Sequence, residues 1–462
     1  MRKYLRPILF ALVGLILLLF VVWWWVSRPD VARYSVEDVS GRVPQLSEVR
    51  PQVFPTMNVA PAVGWAGGAK PTPAKGLKVQ AFADGLDHPR WLYRLPNGDV
   101  LVAESNSPPR DVGGITGMVM GSLMKKAGAA GPSANRITLL RDTDNDGVAD
   151  QKSVLLSGLN SPHGMVVMGD WIYVANTDAL VRFPYKPGDT KITAKAEKIV
   201  DLPGGGNHWA RNVIAAPGGK SLYVSIGSAS NIAENGLEAE GAAYTARTSA
   251  EQTRASRQIG RAMIVEVFPD TKRSNLFAWG LRNANGMAIE PATQTLWAVV
   301  NERDMLGSDM PPDYLARIDL GSFFGWPWNY WGGYVDKRVN PGRPDLREYT
   351  KRPEFSLGPH TAPLGLTFAN EAKLGGPFAN GAFIGLHGSW NRKPLSGYKV
   401  VFVPFGPDGF PPRGTKPVDV LTGFLDKEDQ AQGRPVAVIV DASGGLLVAD
   451  DVGNVIWRVS AQ

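Results

Sequence analysis

Short apolar runs, each introduced by a polar turn carrying Gly or Asp and followed by a polar loop, recur along the chain after Gly76. They are Asn97-Gly98-Asp99-Val100-Leu101-Val102-Ala103, Gly169-Asp170-Trp171-Ile172-Tyr173-Val174-Ala175 and Gly218-Gly219-Lys220-Ser221-Leu222-Tyr223-Val224. Three more follow at Thr293-Gln294-Thr295-Leu296-Trp297-Ala298-Val299, Asn380-Gly381-Ala382-Phe383-Ile384-Gly385 and Ser443-Gly444-Gly445-Leu446-Leu447-Val448-Ala449-Asp450. Runs this short, bounded by Gly and Pro, read as β-strands, and helical periodicity is scarce. Units spaced roughly 50 to 90 residues apart predict an all-β fold, a six-bladed β-propeller with long loops. The final run, Val455-Ile456-Trp457-Arg458-Val459, is expected to close the ring. Gly113 to Gly131, with Met118, Met120 and Met124, breaks the pattern and predicts a helical or looped insert in the first blade.

The N-terminus carries a different pattern. Arg2, Lys3 and Arg6 precede an apolar run from Pro7 to Val26 that ends in Trp23-Trp24-Trp25. A run of about 20 residues suffices for one helical membrane crossing, and the basic flank places the N-terminus in the cytoplasm. No small-residue cleavage site follows, so an uncleaved anchor over 1–27 is expected. It would hold the rest of the chain to the cytoplasmic (inner) membrane, on its periplasmic side. Residues 28–75 are rich in proline and read as an extended tether, with Val53, Phe54, Val59 and Trp65 able to pack on the adjoining domain. The propeller domain is expected over 76–462.

The chain has no cysteine, so an exported domain here must rely on its own core rather than on disulfides. The net charge of +6 is spread without a basic arm and implies no nucleic-acid partner. Only five histidines occur. One of them, His208, stands in the Gly-rich turn Gly206-Asn207-His208-Trp209-Ala210-Arg211-Asn212, and Trp279-Gly280-Leu281-Arg282-Asn283 follows some seventy residues on. An imidazole, a permanent cation and an amide are the groups needed to take a proton from an alcohol and to stabilise developing negative charge.

These words, with Phe324-Gly325-Trp326-Pro327 and Leu386-His387-Gly388-Ser389-Trp390-Asn391-Arg392, carry a resemblance. Over most of Gly76 to Ser460 the chain resembles the membrane-bound sorbosone dehydrogenases, and more distantly the soluble quinoprotein glucose dehydrogenases and aldose sugar dehydrogenases. Those are six-bladed propellers holding pyrroloquinoline quinone (PQQ) with calcium. The resemblance implies that His208 is the catalytic base and that Arg282 and Asn283 lie against the quinone oxygens. PQQ carries three carboxylates, which calls for further cations. Arg90, Arg392 and Arg434 are the candidates, with His387 or Arg392 standing where the soluble glucose enzyme has a lysine. His163, in Ser161-Pro162-His163-Gly164, opens the second blade as His88-Pro89-Arg90 opens the first, and is a candidate cofactor or substrate contact. His360 has the same standing.

Two places invite calcium. Asn301-Glu302-Arg303-Asp304 matches the family's calcium-loop position but lacks its Gly-Pro pair. The run Asp142-Thr143-Asp144-Asn145-Asp146-Gly147-Val148-Ala149-Asp150 alternates oxygen donors around a glycine at the sixth place. Asp142, Asp144, Asp146 and Asp150 could hold a structural calcium, or the run is a polar hairpin turn. The reading that results is a membrane-anchored PQQ-dependent dehydrogenase of a sugar or sugar aldehyde, passing electrons to a respiratory acceptor. Two alternatives stay open: a calcium-dependent lactonase-type hydrolase on a similar ring, and a non-catalytic binding propeller of the envelope.

Overall fold

The computed structural model describes residues 2–26, 28–109, 114–233, 260–340 and 342–462; Met1, Ser27 and Gly113, which fall within the expected anchor and insert, lie outside them. Six antiparallel sheets form the blades of the propeller. The first contains strands Pro89–Arg94, Val100–Glu104, Arg136–Arg141 and Gln151–Leu156, and the next two run over Met165–Asp201 and Val213–Trp279. The fourth and fifth run over Ala284–Pro359 and Pro363–Thr422. Each of the six turn-and-run units read from the sequence is the second strand of a blade. Those strands are buried almost throughout, as in Val100–Glu104, Leu296–Val300 and Gly381–Leu386. A neighbouring blade covers each face, so these strands read as unbroken apolar runs rather than alternating ones.

Ring closure differs in one respect from the expectation. Val455–Ala461 is the third strand of the last blade, after Pro435–Val440 and Leu446–Asp450. The fourth strand is Leu77–Ala83 from the beginning of the domain, paired antiparallel with it from Ile456↔Ala83 to Ala461↔Leu77. The ring is therefore locked by backbone hydrogen bonds between segments from its two ends.

Residues 28–75 do not form a free tether. Ser40–Gly41 adds a fifth strand to the fourth blade, and Thr72–Pro73 adds one to the fifth. Trp65 packs edge-on against Phe424 and Trp457, and its indole N–H donates to buried Asp450 at 2.7 Å. Near the start of the segment, Asp309 accepts the Arg33 backbone N–H and a guanidinium N–H of Arg50, each at 2.8 Å. Proline suits such a course, because an extended chain on a surface needs few backbone donors. Of the residues expected to pack, Val59 is buried, whereas Val53 and Phe54 face solvent. The segment is a strap across the blades.

The helix Arg2–Val26 forms over the apolar N-terminal run, and a second helix, Gly114–Lys126, joins the second and third strands of the first blade. Among the described residues no helix is long and apolar enough to cross a membrane. Removing buried Asp309, the acceptor that ties down the strap, should break its part-buried bonds to Arg33 and Arg50. Asp309→Ala is therefore expected to lower stability by about 3 kcal/mol in denaturant unfolding and to make the 30–50 segment the first site of limited proteolysis.

Candidate active site

In every blade the first strand descends from one end of the ring and the second returns to it. Loops before the first strand and after the second therefore gather at a single end. His208 to Asn212 precede the first strand of the third blade, and Arg282 with Asn283 precede that of the fourth. Asn301 to Asp304 follow the second strand of the fourth blade, His387 that of the fifth and Asp451 that of the sixth. Two cavities open here, of about 160 and 150 Å³.

His208, Arg282, Asn283, Asp304, His360 and Asn391 are among the residues lining the first cavity. The His208 Nδ1–H donates to the Ser228 carbonyl at 2.8 Å, which in the neutral ring leaves the lone pair on Nε2. Buried Arg211 turns back beneath this loop, donating to the His208 carbonyl and to that of Pro203, each at 2.7 Å. Gly227 sets how closely the two halves approach. A Cβ there would fall on Asn283 Oδ1 and lie 2.6 Å from His208 Cβ, so only glycine lets the imidazole and the amide share this wall.

Arg282 is 5 % exposed. Its guanidinium donates to the Glu302 carbonyl at 2.7 Å, to Asn231 Oδ1 at 3.1 Å and to Asp304 Oδ2 at 2.7 Å. Asp304 Oδ1 in turn accepts from the Asn391 amide at 2.7 Å and lies 3.7 Å from His360 Nδ1. Asp313 closes the floor, accepting the Glu302 and Ala362 N–H groups at 2.7 and 2.9 Å. Burial pushes its carboxyl up to about 7.

The second cavity is lined by Arg90, Arg434, His387, His88, Asp451 and Trp209, among others, with Met124 and Ala127 at the end of the insert helix closing one side. Asp451 is the hub. It pairs with the Arg90 guanidinium, lies 2.9 Å from His387 Nε2 and 3.6 Å from His88 Nε2. Burial opposes its ionisation, but His387, His88 and Arg90 outweigh that and hold it well below the usual carboxylate range. Burial likewise takes His387 down to about 4, against the pull of Asp451. Arg434 donates to the Tyr398 hydroxyl at 2.7 Å and is paired with no carboxylate among the described residues. Among the described residues, Arg90 Nε, Arg434 Nε and Asn283 Oδ1 are buried polar atoms without a hydrogen-bond partner.

The structure thus brings His208, Arg282 and Asn283 to one cavity, and Arg90, His387 and Arg434 to its neighbour, with His208-Trp209 contributing to both. Two expected contacts lie elsewhere. Arg392 is 1 % exposed and donates to the carbonyls of Ser308, Pro394 and Tyr34, at 3.0, 2.9 and 2.9 Å; it staples the strap to the fifth blade. His163 lines neither cavity. It is fully buried between Trp91 and Trp209, with Nε2 3.1 Å from Asn285 Oδ1. Trp326, Trp328, Tyr330 and Trp331 are buried and belong to the core.

Asp142, Asp144 and Asp146 bring carboxylate oxygens within 4.8 Å of one another. Asp150 is turned aside, accepting the Thr143 N–H and hydroxyl at 2.7 Å each. This loop lies at the opposite end of the first blade from both cavities, since it follows the third strand where Arg141 pairs with Gln151. Sequence reasoning missed Asp451, Asn391 and the tie between Arg282 and Asp304. The available signal was position: Asp451 and Asp304 each follow directly on a second-strand run.

Together these features define a six-bladed propeller with two cavities lined by the loops at one end of the ring. The chain belongs to the TrAA12-like family, whose model matches residues 71–312 and 345–462. Among curated relatives it is 23% identical over 445 residues to a pyrroloquinoline quinone-dependent pyranose dehydrogenase of Coprinopsis cinerea, covering 84% of this chain and 54% of that protein. An uncharacterized protein of Borreliella burgdorferi is 30% identical over 207 residues, covering 43% of this chain and 52% of that one. The chain thus spans about half the length of these curated relatives. Among solved structures, the holo form of the pyranose dehydrogenase PQQ domain from Coprinopsis cinerea superposes with a TM-score of 0.66 at 20% identity, covering 87% of this chain and 100% of that one. The soluble aldose sugar dehydrogenase of Escherichia coli, in its apo form, gives 0.55 at 16%, covering 84% and 100%. At these identities the likeness establishes the fold.

Two measurements test this geometry. Gly227→Ala should cost about 1–3 kcal/mol and shift the imidazole NMR resonances of His208, because the added methyl displaces the ring. Burial also lowers His163 to about 3. Between about pH 6.5 and 3 the unfolded chain therefore binds a proton that the folded chain refuses. Stability from this group is complete above pH 6.5 and falls as the pH drops toward 3, by at most about 1.4 kcal/mol per pH unit. Denaturant titrations of His163→Phe should show a correspondingly shallower acid slope.

Proposed function

We propose that this protein is a membrane-anchored, PQQ-dependent dehydrogenase that oxidises the hemiacetal or aldehyde carbon of a sugar or sugar aldehyde, sorbosone or an aldose being the model substrates. The observation that carries the reading is the shared wall of His208, Arg282 and Asn283 beside a cavity rich in cationic side chains. The names of its relatives point the same way.

The residues present fit the cofactor. Among the described residues Arg90 and Arg434 each keep an unsatisfied buried Nε and form a donor set suited to carboxylates, with His387 lining the same cavity and tied to Asp451. Asn283 offers an unmatched Oδ1 in the adjoining cavity. Glu302 and Asp304 bring carboxylate oxygens to that cavity, Glu302 Oε1 having no hydrogen-bond partner among the described residues, which suits a hard divalent cation, and we assign calcium there. PQQ, when bound, supplies a two-electron acceptor for the substrate carbon.

The chain supplies the proton chemistry and the field. His208 holds its Nδ1 proton on the Ser228 carbonyl, so Nε2 is the basic nitrogen that takes the substrate hydroxyl proton. Arg282 is clamped by Asn231, Glu302 and Asp304, and therefore presents a fixed positive charge that need not reorganise as negative charge develops. In this proposal the apolar run Pro7–Val26, read from the sequence with its basic flank Arg2, Lys3 and Arg6, serves as a single-pass anchor that would hold the propeller on the periplasmic side, near a respiratory acceptor.

The test is reconstitution with PQQ and calcium, followed by dye reduction with glucose, other aldoses and sorbosone. No reduction with any of them would remove the reading, and lactone hydrolysis would replace it with a hydrolase. His208→Ala is expected to retain cofactor binding, measured by fluorescence quenching, and to lose turnover by a hundredfold or more.

A further inference from the structure

We propose that the cavity-bearing end of the propeller rests against the membrane surface, with the strap as its contact. This rests on the anchor assigned above. The strap is clamped very early: Asp30 accepts the Ser308 N–H at 2.6 Å and pairs with Arg50 at 2.6 Å. Asp30 lies four residues beyond Val26, the last residue of the apolar helix. Four extended residues reach at most about 14 Å. The loop so clamped, Asp304 to Asp309, is the one that carries the partner of Arg282.

From there the strap follows the rims of both cavities. The Arg50 N–H donates to the Leu306 carbonyl, that of Asn58 to Trp390 and that of Ala62 to Lys126, each at 2.8 Å. Its outward side chains are apolar. Val53 is 77 % exposed, and Phe54 and Met57 are about half exposed. Beside the second cavity Met118 is 77 % exposed on the insert helix, and Trp390 is part-exposed where it lines the first. Exposed Lys125, Lys126 and Lys393 stand among them. The opposite end of the first blade instead carries the polar Asp142–Asp150 turn.

An apolar rim of this kind needs a cover, and apolar side chains interleaved with lysines suit the headgroup boundary of an anionic bilayer. Continuity selects the bilayer over a protein partner, because the same chain enters its apolar helix within one short span of the clamp. Both cavities then open at the lipid–water boundary.

The absence of native cysteine makes the test direct. Full-length Phe54→Cys, Met118→Cys, Asp144→Cys and Leu17→Cys variants, each labelled with bimane, would be reconstituted in phosphatidylcholine–phosphatidylglycerol vesicles containing doxyl lipids. Labels at 54 and 118 should be quenched by shallow doxyl groups at least twofold more than the label at 144, and the label at 17 by deep ones. Quenching at 17 with none at 54 and 118 above that at 144 would overturn this proposal and leave the anchor standing. No quenching at 17 would remove the anchor, and this proposal with it.

Discussion

A propeller is a sheet architecture whose blades cannot stand alone, and here the constraint that makes them one body is the pairing of Leu77–Ala83 with Val455–Ala461. With the ring closed, the middle strands of each blade are covered on both faces. The ladder that closes the circle is made of ordinary antiparallel hydrogen bonds, yet it joins residues almost 380 positions apart in the chain. Opening it would free the last blade from its fourth strand and expose apolar surface on the first.

Closure also decides where chemistry can occur. Because first strands all leave one end and second strands all return to it, polar residues flanking those strands converge there, however distant they are in the chain. That end is charged and desolvated at once. Asp451 sits among Arg90, His387 and His88, and Asp304 bridges Arg282 and Asn391. Buried charge is costly unless its partners are already in place. These groups are held by backbone carbonyls and second partners, so the field at the cavity is preorganised.

The strap adds a second layer of order. Its prolines and small residues suit an extended course, but its tie points are specific: Asp309 to Arg33 and Arg50, Trp65 to Asp450, and Arg392 to the Tyr34 carbonyl. Two of these, Asp309 and Asp450, stand within a few residues of cavity-lining Asp304 and Asp451. The segment is therefore coupled to the site through short stretches of loop.

Much of this was legible in the sequence. Two-sided burial writes continuous apolar runs, so the second strand of every blade could be read directly. The outer strands alternate and are interrupted, and they could not. Motif words pointed to His208, Arg282 and Asn283, and the blade-opening pattern to Arg90, all of which the fold brings to the cavity-bearing end. The same pattern misled at His163, because a ring between two tryptophans and one between two cavities look alike as letters. Arg392 misled for a related reason: its partners are carbonyls, which every residue possesses. By itself the chain determined its strand-forming segments, its lack of disulfides and the chemical types gathered in its loops, since these follow from local pattern and composition. Only the closed tertiary structure decided which cations face a cavity, which acids neutralise them and where the proline-rich segment lies, because each depends on distances between residues that the polymer itself leaves unconstrained.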